Sequence, residues 1–296
     1  MADSRRPLAV LVNPAAAAGR ALAALPEVRA ELERAGAEFR VVETASADHA
    51  RELAAAAADA GETVAALGGD GFVGAIAGVL CGSETPLALL PGGRGNDLAR
   101  VLGIPRDPAG AVRVALEGVV RPFDVAEANG TTYVGIASCG FDSECNRVAN
   151  EAKLIKGNLV YLYSALRVLA GWKHAEFEVV VDGDRHRFRG YNVLVANSKA
   201  YGGGMYIVPH AELDDGLLEV MVTTAEEGKL AFARGVLRTF SGAHVDNPAL
   251  RFLRGREVEV SADRPFEVYA DGDPVAAMPV RIRVAERVLR VMVPAP

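Results

Sequence analysis

TVAALGGDGFVGAIAGVLCGSETPLALLPGGRGNDLAR, residues 63–100, writes one structural phrase twice. The apolar run Val64, Ala65, Ala66, Leu67 stops at Gly68-Gly69-Asp70-Gly71. Apolar residues at helical spacing follow (Val73, Ile76, Ala77, Leu80), so the reading is strand, glycine turn, helix. Pro86 to Leu90 then makes a second buried strand and Pro91-Gly92-Gly93-Arg94-Gly95 a second turn. Asn96 or Asp97 caps a helix through Leu98, Val101 and Leu102. The two turns are expected to face each other at the carboxyl ends of adjacent parallel strands.

Glycines let a backbone approach a ligand closely, and the unpaired N–H groups of a following helix favour an anion. Open α/β sheets bind ligands in this crevice. An acid among N–H donors suited to phosphate is out of place unless a divalent cation joins it to the phosphates, so Asp70 marks the site as a metal-nucleotide cradle. The plainer alternative is a pair of ordinary strand–helix turns with Asp70 as a helix cap. In either case Asp70 is expected to be an exposed turn acid that contributes little to stability.

Working outward, Leu8 to Val12 is a strand ending at Asn13-Pro14, followed by a third turn that contains Gly19. A helix through Leu25, Val28 and Leu32, a strand from Phe39 to Val42 with Thr44 at its end, and an alanine-rich helix from about Asp48 to Gly61 come next. Asp107-Pro108 opens one more helix. Strands alternating with helices imply a doubly wound, Rossmann-like parallel sheet.

After Arg121-Pro122 helices become scarce and short strands with turns dominate, among them the Asn129-Gly130 and Asp182-Gly183 hairpins. A mainly antiparallel β domain is expected, interrupted by two helices near Leu159 to Leu169 and Glu226 to Ser241. Val280 to Val284 and Val288 to Val293 read as two separate strands. The expected domains are 1–123 and 124–285.

Composition narrows the class. Of 296 residues, 50% are hydrophobic and 24% charged, as in a globular chain with room for two cores. A net charge of −6 argues against nucleic acid as the main partner. Cys81, Cys139 and Cys145 form no C-x-x-C pair, so neither a disulfide framework nor a zinc site is indicated and a reducing cytoplasm fits. The five histidines show no metal spacing. The apolar run before Asn13-Pro14 is too short for a signal peptide, and Leu159 to Ala170 is too short for a membrane span.

Asn13-Pro14 with Gly19, the Gly68–Gly71 turn, Pro91-Gly92 with Gly95-Asn96-Asp97 and Ala99-Arg100, and Asp271-Gly272-Asp273 together resemble the diacylglycerol kinase catalytic family, whose relatives include sphingosine and ceramide kinases. The resemblance runs from about Pro7 to Pro294. It implies an α/β nucleotide domain followed by a β-sandwich, with the last strand, about 286–296, returning to the first domain. It also implies ATP-dependent transfer of the γ-phosphoryl group to a lipid hydroxyl, with diacylglycerol the favoured acceptor. Asn13, Pro14, Gly19, Thr44, the turn Gly68, Gly69, Asp70, Gly71, Phe72, Val73, and the second turn Gly93, Arg94, Gly95, Asn96, Asp97 match nucleotide-contacting positions. Asp70 and Asp124 match essential acids that organise Mg2+. Glu212, Asp215 and Leu217 resemble a structural magnesium loop, Asp215 by its carboxylate and the other two by backbone oxygens. Asp273 falls at the general base.

Three departures accompany the match. Phe72 and Arg94 stand where threonines are usual, and Asp273 where glutamate is more common. A guanidinium is a strong bidentate phosphate ligand, so Arg94 offsets the lost hydroxyl contacts. The partners implied are a lipid substrate, a transient contact with the inner membrane surface by a cytoplasmic protein, and a second copy of the chain. Lys229, Arg234 and Arg238 beside apolar residues suit an anionic bilayer, although a solvated face of a core-packed helix explains them as well. Two other functions share part of this pattern: a nucleotide kinase of the NAD kinase type, and a nucleotide-binding regulator without catalysis. Asp271-Gly272-Asp273 is also a good hairpin turn on its own chemistry.

Overall fold

Continuous apolar runs become buried strands in the computed structural model, which describes residues 6–152 and 159–296. The chain divides into two compact units, one from the N-terminus to Val125 with Gly202–Gly204 and Glu286–Pro296, the other Ala126–Tyr201 with Met205–Ala285.

The first unit opens with β1 (Leu8–Val12), α1 (Arg20–Arg34), β2 (Phe39–Glu43), α2 (Ala47–Asp59), β3 (Thr63–Gly68), α3 (Asp70–Leu80) and β4 (Leu87–Pro91). It continues through α4 (Asp97–Val101), α5 (Pro108–Glu117) and the start of β5 (Val119–Ala128). β1 pairs in parallel with β2 and β3, and β3 with β4. β1 and β3 are buried along their whole length, as parallel strands covered on both faces must be. Helix starts are set by side chains: Ser46 Oγ accepts the His49 N–H at 3.1 Å, and Asp107 accepts the Gly110 N–H at 2.8 Å with Pro108 in the first turn.

The second unit contains β6 (Thr131–Tyr133), β7 (Ile136–Gly140), α6 (Phe141–Glu151), α7 (Leu159–Gly171), β8 (Ala175–Val181) and β9 (Asp184–Ala196). After the small hairpin β10 (Ala200–Tyr201) and β11 (Met205–Tyr206) come β12 (Leu218–Thr224), α8 (Lys229–Arg238), β13 (Leu250–Gly255), β14 (Glu257–Ala262), β15 (Glu267–Ala270), β16 (Asp273–Ala277) and β17 (Val280–Val293). Pairing is antiparallel throughout: β8 with β9 and β14, β9 with β7 and β12, β12 with β13, β15 with β7 and β16. Alternating burial along β8 marks its one core-facing side. Aromatic rings fill that core, with Phe141 edge-on to Trp172 at 5.5 Å and to Phe232 at 4.8 Å.

The structure corrects three expectations. Val280 to Val293 is one strand: Arg283 back to Val280 pair antiparallel with Glu257 through Val260 of β14, while Val291 pairs in parallel with Leu87 inside the first unit. A third helix, α6, joins the two expected among the later strands. Its sequence buries only Phe141, Ser143 and Val148, too few apolar positions for a helical period, and its start is set by Ser143, whose Oγ accepts the Gly140 N–H at 3.0 Å. α8 is shorter than expected, beginning at Lys229 and giving way at Thr239 to a single 3₁₀ turn through Ser241.

Candidate active site

β3 and β4 deliver the two glycine turns side by side, with Gly68 in register with Pro91. Contact between the turns excludes side chains: a Cβ on Gly93 would stand 2.3 Å from Gly69 Cα, and one on Gly95 would meet Asp70 Oδ2 at 2.7 Å and Asp97 Oδ2 at 2.8 Å. Glycine here is therefore a requirement of approach. A shallow recess in the same place is lined by Gly68, Gly69, Asp70, Val73, Asn96 and Ala99.

Asp70 joins the turns. Its two oxygens accept the N–H groups of Asn96 at 2.8 Å and Asp97 at 2.6 Å, across 26 and 27 residues of sequence. The expectation of an exposed acid without structural weight is thus overturned, because the carboxylate is partly buried and ties one turn to the other. Burial, and next the neighbouring Asp97 carboxylate, push the Asp70 acid above the usual carboxylate range, against the pull of the N–H groups of Asp97, Asn96 and Leu98. Asn96 does not cap α4 with its side chain. It adopts a left-handed backbone (φ 51°), accepts the Gly93 N–H at 2.8 Å and donates to the Gly93 carbonyl at 3.1 Å, bracing the second turn from within.

Asp97 is buried, and its Oδ2 accepts the Gly203 N–H at 2.8 Å. Among the described residues its Oδ1 accepts no hydrogen bond, with Arg100 Nε 3.9 Å away and likewise without a hydrogen-bond acceptor. Two neighbouring carboxylates, one with an orphaned oxygen, beside turn N–H groups suited to anions, fit a divalent cation that bridges to phosphate. The Gly202–Gly204 turn and Arg100 were not singled out as site residues by the sequence reading; the triple glycine after Tyr201 was the available signal.

The other positions expected to contact nucleotide lie in the same unit. Asn13 accepts the Ala15 N–H at 3.1 Å, Gly19 takes φ 92°, and the Thr44 hydroxyl donates to the Val12 carbonyl at 3.1 Å. Phe72 is buried inside α3 and so forms core, whereas Arg94 is exposed. Arg20, not singled out from the sequence, donates to the Gly93 carbonyl at 3.2 Å. Asp124 is 1% exposed, and its Oδ1 accepts the Arg287 N–H at 2.7 Å, both residues belonging to the first unit.

Within the second unit, Asp271 and Gly272 take left-handed backbone (φ 53° and 95°) and form the turn joining β15 to β16. The Asp271 carboxylate accepts the Val134 N–H at 2.9 Å and the Gly135 N–H at 3.3 Å, pinning the hairpin, and Asp273 stands exposed as the first residue of β16. In the loop before β12, Asp215 Oδ1 accepts the Leu217 N–H at 3.0 Å and Oδ2 meets Arg254. The same guanidinium lies 2.9 Å from Glu219, and Glu212 pairs with Lys199 at 3.2 Å. Burial and then, among other charges, Asp215 hold the Glu219 acid above its ordinary value. Two carboxylates thus share one guanidinium, a charge balance that a cation on the loop fits. No group of three or more His, Cys, Asp or Glu side chains comes together as a metal cage among the described residues.

A further acid went unremarked in the sequence. Asp142, in the first turn of α6, accepts from Asn192 and from the Tyr201 hydroxyl at 2.9 Å, and its burial pushes its acid upward.

Comparison with known proteins gives this geometry a context. The family model described as diacylglycerol kinase catalytic domain matches residues 7–128, and that described as YegS C-terminal NAD kinase beta sandwich-like domain matches residues 135–293. The chain is 31% identical to a protein named diacylglycerol kinase from Mycobacterium tuberculosis (strain CDC 1551 / Oshkosh), covering 96% of this chain and 94% of that one. It is 32% identical to a protein named "Probable lipid kinase YegS-like" from Pseudomonas aeruginosa (strain PAO1), covering 91% and 90%. The crystal structure of a diacylglycerol kinase from Bacillus anthracis str. Sterne shares the fold with a TM-score of 0.80 at 23% identity, over 98% of this chain and 97% of that one.

Proposed function

The chain belongs to the diacylglycerol kinase catalytic-domain family, and from that premise we propose that it transfers the γ-phosphoryl group of ATP to a lipid hydroxyl, diacylglycerol giving phosphatidic acid. The observation that carries the reading is Asp70, a partly buried acid bonded across two facing glycine turns with the orphaned carboxylate oxygen of Asp97 beside it.

Phosphoryl transfer asks a protein for in-line positioning, charge neutralisation on the phosphates and a group that takes the hydroxyl proton. In the proposal the N–H groups of the Gly68–Gly71 turn and those of the second turn after Gly93, with exposed Arg94, hold phosphate. Asn13, Pro14, Gly19 and Thr44 line the nucleotide side. Asp70 with Asp97 would hold Mg2+, which when bound neutralises charge on the phosphates; Asp124 is the second essential acid. Asp273 accepts the proton of the acceptor hydroxyl. Glu212, Asp215 and Leu217 would hold a structural cation that stiffens the loop before β12. The acceptor resides in a bilayer, so the working position proposed is peripheral, at the inner membrane surface; no helix among the described residues is long and apolar enough to cross a membrane.

The test is to incubate the protein with γ-labelled ATP, Mg2+ and, in parallel, diacylglycerol, a sphingoid base and NAD. Label recovered as phosphatidic acid is expected. Label on NAD alone would make the chain a nucleotide kinase, and ATP binding without transfer to any acceptor would make it a regulator.

A further inference from the structure

Apart from Leu22, Val119 and Val120 in the first unit, the large apolar side chains left exposed among the described residues gather on or beside two helices of the second unit. Leu162 and Leu166 on α7 are 57% and 61% exposed, and Leu230 and Leu237 on α8 are 67% and 70% exposed, with Tyr161 and Phe240 beside them. Their inner faces are already used: Ser164 of α7 is fully buried, and Phe232 of α8 stacks on Tyr191 at 4.0 Å and meets Phe141 edge-on. Lys229 Nζ donates to the Ala170 carbonyl at 2.9 Å, so the start of α8 reaches the end of α7. Leu162, Leu166 and Ala170 repeat every four residues, as do Leu230 and Arg234, with Leu237 three further on, so each helix presents one stripe outward.

Charge says what covers it. Arg167, Lys173, Lys229, Arg234 and Arg238 are all exposed on or beside these helices, although the chain as a whole carries −6. Neither Arg234 nor Arg238 pairs with a carboxylate among the described residues. An apolar stripe edged with cations on an acidic protein is complementary to anionic headgroups over hydrocarbon, and not to a generally acidic chain like itself. We propose that the outer faces of α7 and α8 form a docking surface for an anionic lipid bilayer. The proposal rests on the lipid kinase reading for its purpose, since a docked enzyme meets an acceptor confined to the membrane.

Vesicle sedimentation tests it with the full chain and no ATP. Wild type is expected to sediment with vesicles of phosphatidylcholine and phosphatidylglycerol, weakly with phosphatidylcholine alone, and less in high salt. Leu166→Glu/Leu237→Glu and Arg234→Glu/Arg238→Glu double variants should each lose about tenfold or more in vesicle affinity. Both variants should phosphorylate a short-chain diacylglycerol dissolved as monomer at the wild-type rate, which separates lost docking from a lost site. If no lipid is phosphorylated by any form yet the sedimentation pattern holds, the docking surface stands and the kinase reading falls. Wild type failing to bind phosphatidylglycerol vesicles, or both double variants binding as wild type does, would overturn the proposal. A wild-type dimer that Leu166→Glu/Leu237→Glu makes monomeric, seen by light scattering, would overturn it in favour of a second copy.

Discussion

Asp70 shows how a residue readable from sequence acquires a second role in the fold. Its place after Gly68-Gly69 points to phosphate and metal, but its two bonds to the Asn96 and Asp97 N–H groups make it a clamp as well. A charged acceptor lost from two partly buried donors costs about 1.5–3 kcal/mol. Asp70→Ala should therefore abolish transfer and also lower the melting temperature by several degrees, as followed by circular dichroism; unchanged melting would mean the clamp carries no weight. This second role was not legible, because nothing in residues 68–71 says that the next turn folds back onto them. Asp124 has the same character: the sequence marks it as an acid at a seam, while its bond to the Arg287 N–H spans 163 residues. Arg94 and Phe72, both departures from the family pattern, separate in the structure, Arg94 exposed at the turn and Phe72 packed into α3.

At the scale of elements, what periodicity and turn chemistry can encode was legible: β3, α3 and β4, the helix start at Asp107, and the Asp182-Gly183 hairpin with φ of 50° and 94°. What depends on partners far along the chain was not, including polar α6 and the continuity of β17. The contact of the two glycine turns lies between these cases, since the parallel pairing was readable and the 2.3 Å clearance at Gly93 was not. Gly93→Ala should force the turns apart, destabilise the protein by about 1–3 kcal/mol and weaken ATP binding at least tenfold by calorimetry; near-normal binding would show that the turns need not touch. The loop before β12 gives a different test. If a cation relieves Asp215 and Glu219 of sharing Arg254, EDTA lowers the melting temperature of wild type and leaves that of Asp215→Ala unmoved. No EDTA effect on wild type would mean that Asp215 and Glu219 share Arg254 without a cation.

For the whole molecule, the change of grammar after Pro122 carried the fold class: an α/β unit with a parallel sheet and a mainly antiparallel unit after it. The turn Gly202–Gly204, which belongs with the first unit despite its place in the chain, was beyond any local reading. The proposed function rests on a division of labour between acids that sequence order alone does not explain, with Asp70 and Asp97 bonded into the glycine turns and Asp273 exposed at the head of β16. That division is the central claim, and the rate of label transfer from ATP to diacylglycerol at saturating substrates tests it most directly when wild type is set beside Asp273→Asn and Asp273→Glu. Asparagine keeps the size and turn preference of aspartate but takes up no proton, so Asp273→Asn should fall about 10²-fold or more with ATP affinity near wild type, while Asp273→Glu retains substantial activity. A role in the turn alone reverses the order, because asparagine suits a turn and glutamate does not. An Asp273→Asn variant that labels phosphatidic acid as fast as wild type would contradict the account.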